Sequence, residues 1–278
     1  MKTFMSAIEG TDGTTAELDA YLLENVEAID AERRRPAVLI LPGGGYSHLS
    51  PREGEPIAIR MLSYGYQAFV LRYSVAPSRY PVSLLQTAEA MRTIRANADA
   101  WHIDPDAIAV CGFSAGGHLA GLFAESWAGP VLGEAGFVPV DIKPNALILC
   151  YPVITGGAFA HRRSISTLLG PQRADDEAWR DAMSLEKHVS ADVPPSFIWT
   201  TATDEKVPAV NSMMFAQALA CAGVPYELHV FSEGMHGVAL ATGETAHTPD
   251  SIAPCAQVWP DLLDAWMERT FPKALSWR

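Results

Sequence analysis

Short, continuous apolar runs alternate along this chain with stretches whose apolar residues recur at helical intervals. Residues 36–41 (PAVLIL), 66–73 (YQAFVLRY), 107–110, 145–150 (NALILC), 196–200 (SFIWT) and 226–231 have the length and β-branched content of strands buried on both faces of a parallel sheet. Between them, residues 82–98 carry Leu85, Ala88, Met91, Ile94 and Arg95 at helical spacing, and residues 115–128 are rich in helix formers. A further helix is predicted over 209–222, stopped by Gly223. A closing helix from about Ala256 is marked by Val258, Leu262, Leu263, Trp266 and Met267. Ser50-Pro51-Arg52-Glu53 has the form of an N-cap with proline in the first turn, opening a helix to about Tyr64.

Other stretches are less decisive. Residues 16–25 (AELDAYLLEN) fit a short helix and an early antiparallel strand equally well, and the Gly/Pro-punctuated stretch 129–144 is expected to be a loop. Residues 153–194 contain several breakers and no strong strand, with short helices expected at 165–169 and near 175–183. An insertion there would lie over the carboxyl ends of the strands, so it is expected to form a small cap lining a pocket. The alternation predicts one α/β domain spanning 1–278: a mostly parallel, doubly wound sheet with helices on both faces and this cap.

Composition and charge narrow the function. Hydrophobic residues make up 49 % and charged ones 19 % of the chain, an ordinary globular profile. The formal net charge of −12 argues against nucleic-acid and anionic-membrane partners and favours a small neutral substrate. No apolar stretch approaches the ~20 residues of a membrane span. Residues 1–10 show no secretory pattern, so a cytoplasmic location is expected. Cys111, Cys150, Cys221 and Cys255 form no CxxC and are expected to be reduced thiols packed in the core. No histidine pair has metal-ligand spacing together with a third ligand, so neither a metal nor another cofactor is expected.

The chemistry centres on Cys111-Gly112-Phe113-Ser114-Ala115-Gly116-Gly117-His118. A GxSxG sequence is weak evidence alone, but here it falls between a strand and a helix. A tight corner there presents a serine hydroxyl above the sheet edge, with glycines at 112 and 116 permitting close backbone approach. A serine is a poor nucleophile at neutral pH without a base and a group to orient that base. Asp204 follows the strand SFIWT, and His236 lies in the glycine-flanked loop SEGMHG after the final strand. Ser114, Asp204 and His236 therefore share one sheet edge in the chain order Ser, Asp, His. Glu205 is adjacent but aimed elsewhere on the turn, Asp192 lies at the opposite edge, and His118 is better placed for packing or a hydrogen bond near the corner. Acyl transfer also needs amide donors for an oxyanion. The Ala115 amide is one, and the Gly43-Gly44-Gly45 run after PAVLIL supplies another.

Together PGGGYSHLSPREGEPIAIRMLSYGYQAFVLRYSVAP, CGFSAGGHLAG, TATDEKVP and EGMHG resemble the α/β-hydrolase esterases grouped with bacterial acetyl esterases and acetylxylan esterases, relatives of the hormone-sensitive-lipase-like esterases. The likeness runs from about Ala16 to the end. It implies Ser114 as nucleophile, His236 as base, Asp204 as its orienter, and Gly44, Gly45 and Ala115 as oxyanion donors. One departure is Pro42, where many lipase-like relatives have the histidine of His-Gly-Gly-Gly; the glycine amides are unaffected.

The resemblance and the short cap point to a small acyl group, acetyl above all, on a soluble carrier such as an acetylated sugar or xylo-oligosaccharide. Tyr46 and Tyr151, each just beyond a strand, are candidates to stack on a sugar or wall the acyl pocket, with a core role equally open. The alternatives are a general short-chain carboxylesterase, an arylformamidase or a peptidase on the same scaffold, and a catalytically inactive small-molecule binder.

Overall fold

The computed structural model describes residues 1–275. Its strands are β1 (Lys2–Glu9), β2 (Thr15–Leu22), β3 (Arg35–Leu41), β4 (Gln67–Arg72), β5 (Ile103–Phe113), β6 (Ala146–Cys150), β7 (Ser196–Thr201) and β8 (Tyr226–Phe231). The helices are α1 (Glu55–Ser63), α2 (Val82–Ala96), α3 (Ala115–Ser126), α4 (Pro130–Glu134), α5 (Pro139–Ile142), α6 (Arg162–Leu169), α7 (Glu177–Ala182), α8 (Val210–Ala222) and α9 (Trp259–Thr270).

All eight strands form one sheet in the order β1-β2-β4-β3-β5-β6-β7-β8. From β4 to β8 every neighbouring pair is parallel, while β1 and β2 add an antiparallel edge. The strands feed two apolar layers alternately. Leu39 and Leu41 of β3 and Ile108 and Val110 of β5 pack with α2, α3 and α8. Val38 and Ile40, and Ala109, Cys111 and Phe113, pack with α1 and α9 on the other face. Every residue of β3 is buried, which is why residues 36–41 are continuously apolar instead of alternating, while Arg35 at the start places its guanidinium on the Gly65 carbonyl. The chain passes from β3 to β4 on one side and then to β5 on the other, so strand order reverses between β3 and β5. In open α/β sheets ligands bind at such a reversal, outside the carboxyl ends of the strands.

Several expectations need correction. The 16–25 stretch is β2, with Ala16, Leu18 and Ala20 turned inward at period two. Its partner β1 escaped notice because its outer residues are exposed and only Ile8 is fully buried. Ser50 does not cap a helix: Pro51–Glu53 is a single 3₁₀ turn, and α1 begins only after Gly54, whose φ of −108° and ψ of −105° break the path. The 129–144 loop contains α4 and α5, each opened by a proline in its first turn. The closing helix starts at Trp259, after another 3₁₀ turn. Cys111 and Cys150 are buried thiols, but Cys221 and Cys255 are exposed and not core residues. Among the described residues no helix is long and apolar enough to cross a membrane.

Candidate active site

Ser114 stands between β5 and α3 with φ 53° and ψ −116°, a conformation that costs an L-residue energy and is held by its surroundings. Its amide donates to the Cys150 carbonyl at 3.0 Å, and its own carbonyl accepts from the His118 and Val153 amides. The corner closes so tightly that a Cβ on Gly116 would sit 2.1 Å from the Leu41 carbonyl oxygen. Only glycine lets α3 approach the end of β3 in this way.

The structure brings the three residues singled out in sequence into one connected line. Ser114 Oγ lies 2.7 Å from His236 Nε2, and His236 Nδ1 lies 2.6 Å from Asp204 Oδ2. The other carboxylate oxygen of Asp204 accepts from the Lys206 and Val207 amides at 3.0 and 2.9 Å. The carboxylate is thus an acceptor on both sides, which places the imidazole proton on Nδ1 and leaves the Nε2 lone pair facing the serine hydroxyl. The Asp204 side chain is fully enclosed, and 14 % of the His236 side chain reaches solvent. Further bonds fix the histidine loop. Thr201 Oγ1 and Thr203 Oγ1 donate to the Gly234 carbonyl, and Arg52 Nη1 donates to the Gly237 carbonyl at 2.7 Å.

The glycine run after β3 borders the same space. Gly44 has φ 132°, and a Cβ there would meet the His48 carbonyl oxygen at 2.0 Å, so no other residue takes this path. Among the described residues the amides of Gly44 and Gly45 donate to no protein acceptor. The Gly43 amide is already committed, at 2.8 Å, to Glu53 Oε2. Ala115 opens α3, where the first amides have no intrahelical partner and the helix presents its positive end. Gly44, Gly45, Ser114 and His236 line a cleft of about 460 Å³, to which the 153–194 segment contributes His161 and Arg163. A neighbouring cleft of about 640 Å³ shares Lys206, Met235 and His236 with it.

Tyr46 and Tyr151 are both buried, so of the two roles the sequence leaves open for them the structure supports the core one and not contact with a substrate. Tyr46 is 2 % exposed, and its hydroxyl bonds His118 Nδ1 at 2.8 Å. The opposite ring nitrogen of His118 donates to the Met183 carbonyl at 2.9 Å, so Nδ1 is the acceptor and the tyrosine the donor. Burial pushes the His118 pKa down to about 4, which keeps the ring neutral. Tyr151 is 1 % exposed and packs edge-on to the His236 ring with centroids 5.3 Å apart. Its hydroxyl donates to Glu53 Oε1 at 2.7 Å and accepts from the Ala239 amide at 3.1 Å.

Glu53 is the residue that sequence reasoning missed. Buried and acidic, it joins the glycine run to the tyrosine that supports His236, yet in the sequence it looks like part of a helix start. His161 and Arg163 were also overlooked, because a helix start in an irregular segment gives no sign of which cleft it borders. Glu205 is exposed and His229 pairs with Glu227, so neither competes for the site. Among the described residues no group of histidine, cysteine, aspartate and glutamate side chains has the arrangement of a metal site.

The chain is similar to several known proteins. It is 36 % identical over 242 residues to endo-1,4-β-xylanase B of Butyrivibrio fibrisolvens, a match covering 85 % of this chain and 36 % of that protein. It is 28 % identical over 236 residues to an acetylxylan esterase of Xylanibacter ruminicola, covering 84 % of this chain and 45 % of that protein. The chain therefore spans less than half the length of either. Among solved structures, the acetyl ester-xyloside bifunctional hydrolase of Caldicellulosiruptor lactoaceticus superposes with a TM-score of 0.79 at 36 % identity, covering 92 % of this chain and 88 % of that one. Residues 18–219 match the BD-FAE family. With its eight-stranded sheet, its strained serine at the β5–α3 corner and this match over most of its length, the chain belongs to the BD-FAE family of α/β hydrolases.

Proposed function

We propose that the protein is a serine esterase that removes short acyl groups, acetyl above all, from small sugars or xylo-oligosaccharides. The observation that carries this reading is the hydrogen-bonded line from Ser114 Oγ through His236 to Asp204, opening into a cleft bordered by the unused amides of Gly44 and Gly45. His236 Nε2 takes the hydroxyl proton as Ser114 Oγ attacks the ester carbonyl, while Asp204 holds the ring and stabilises its charged form. The oxyanion is received by the amides of Ala115, Gly44 and Gly45, each contributing up to about 3 kcal/mol to the barrier reduction. His236 then protonates the departing alcohol, and water releases the acyl group from Ser114 by the same route.

The acetyl-sugar preference draws support from the names of the similar proteins, an acetylxylan esterase and an acetyl ester-xyloside hydrolase, and from a cleft of about 460 Å³, suited to a small ester. Two measurements test the reading. A fluorophosphonate probe labels the protein, and Ser114→Ala abolishes labelling; label that persists in the variant refutes the nucleophile. Acetate is released from acetylated xylo-oligosaccharides more efficiently than from p-nitrophenyl acetate; equal or poorer release from the sugars refutes the substrate class.

A further inference from the structure

The chain carries 32 acidic against 20 basic residues, yet the cleft over Ser114 reverses that sign. Arg52, Arg163 and Lys206 line it, against Glu53 alone among the acids. Glu53 does not face the opening, since both its oxygens are taken by the Gly43 amide and the Tyr151 hydroxyl. Among the described residues none of the three cations forms an ion pair. They come from separate places: the turn after the glycine run, the start of α6 and the loop after β7. Their convergence is therefore a product of the fold. His161, in the same cleft, has its pKa lowered by burial first, with Arg163 and Lys206 lowering it further against the opposing pull of the enclosed Asp204 carboxylate. Beyond Met235 and His236 the neighbouring cleft has the opposite character, with Glu205, Glu233 and Asp250 on its walls and only the shared Lys206 as a cation.

We infer that the preferred ester carries an anionic group on its alcohol part, such as the carboxylate of an acidic sugar, held on the Arg163–Lys206 side of the cleft while the acyl group meets Ser114. This inference rests on the serine-esterase reading and specifies its substrate. A cleft lined by one sign of charge concentrates ligands of the other, and the acidic cleft beyond His236 repels the same group, so the pair of clefts sets the direction in which the substrate lies.

The test compares an O-acetylated methyl uronoside with its C6 methyl ester, two substrates alike except for one charge. At low salt the wild-type kcat/KM for acetate release is expected to be about tenfold higher for the uronate, at the low end of what a focused field delivers. Raising ionic strength from about 0.02 to about 0.5 M shrinks the screening length and should collapse that ratio. Arg163→Gln with Lys206→Gln should lower the ratio about tenfold, because the loss falls on the charged substrate. A ratio near one in the wild type, or one unmoved by salt and by the double variant, overturns the inference. Equal release from both esters would leave the esterase reading intact, whereas release from neither moves the comparison to binding, with the esterase reading judged separately by the fluorophosphonate probe. Titrating the Ser114→Ala protein with both compounds covers that last case: tighter, salt-sensitive binding of the uronate supports the inference, and equal affinities overturn it.

Discussion

Glu53→Gln changes one oxygen to an amide nitrogen at the point where the glycine run and the histidine support meet. In the wild type one carboxylate oxygen accepts from the Gly43 amide and the other from the Tyr151 hydroxyl, both at 2.7–2.8 Å and both buried. A glutamine oxygen still accepts from Gly43, but its NH₂ group meets the hydroxyl donor to donor. The tyrosine oxygen, already accepting from the Ala239 amide, can accept from that NH₂ only if its own proton loses its partner. An orphaned buried donor costs about 1–3 kcal/mol. The neutral amide is cheaper to bury than a carboxylate, so the net loss should fall near 1 kcal/mol, or about 2 °C in Tm for a chain of this size. Because the same pair positions Gly44 and the face of His236, kcat should fall about tenfold with KM little changed, a fraction of the loss for removing an oxyanion donor outright. The assay is a double-mutant cycle with Tyr151→Phe, read by thermal denaturation and by kcat. With the hydroxyl gone there is no proton to orphan, so Glu53→Gln should cost markedly less in the Tyr151→Phe background. Strictly additive losses, in either stability or kcat, would refute the coupling.

Three further outcomes follow from the same contacts. Asp204→Asn turns an amide donor toward Nδ1 and favours the wrong imidazole tautomer; turnover should fall about 10³–10⁴-fold with the thermal midpoint little changed, checked by steady-state kinetics beside calorimetry. His118 is held neutral by burial, with a pKa of about 4 against 6.5 for the free side chain, so the unfolded chain takes up a proton first as pH falls. Its contribution, up to about 3 kcal/mol, is complete above pH 6.5 and lost between there and pH 4; the Tm of His118→Gln should therefore depend less steeply on pH across that window. Glu125 lies the other way: burial and the nearby Glu186 carboxylate raise its pKa well above the usual range, so it opposes folding increasingly as pH rises above about 4.5. Glu125→Gln should raise Tm at pH 8 and give no gain at pH 4, measured by the same scans.

The sheet was legible because its central strands are enclosed on both faces: once past Arg35, residues 36–41 of β3 are all buried and form one continuous apolar run. The edge was not, since β1 carries exposed Phe4 and Met5 and buries little, leaving no periodic signal. The positions of Ser114, Asp204 and His236 could be anticipated because each follows a strand of one parallel sheet, which sends its carboxyl ends to one rim. Tyr46 and Tyr151 share that rim but have φ of 58° and 37°, a backbone turn that rolls their rings beneath the surface. Proximity to a strand end fixes where a Cα lies; which way the side chain leaves depends on a dihedral that sequence does not display. Glu53 was hidden for a different reason, as its two partners stand at Gly43 and Tyr151, 10 and 98 positions away.

Ser114 and His236 are separated by 122 positions, with Asp204 lying 32 before the histidine. On the ribosome the hydroxyl therefore emerges long before the imidazole that it meets in the folded chain. The three side chains can meet only once the loop after β8 has docked at the sheet edge that carries Ser114. A product that stops before residue 236 cannot form this line, however much of the sheet it has already built.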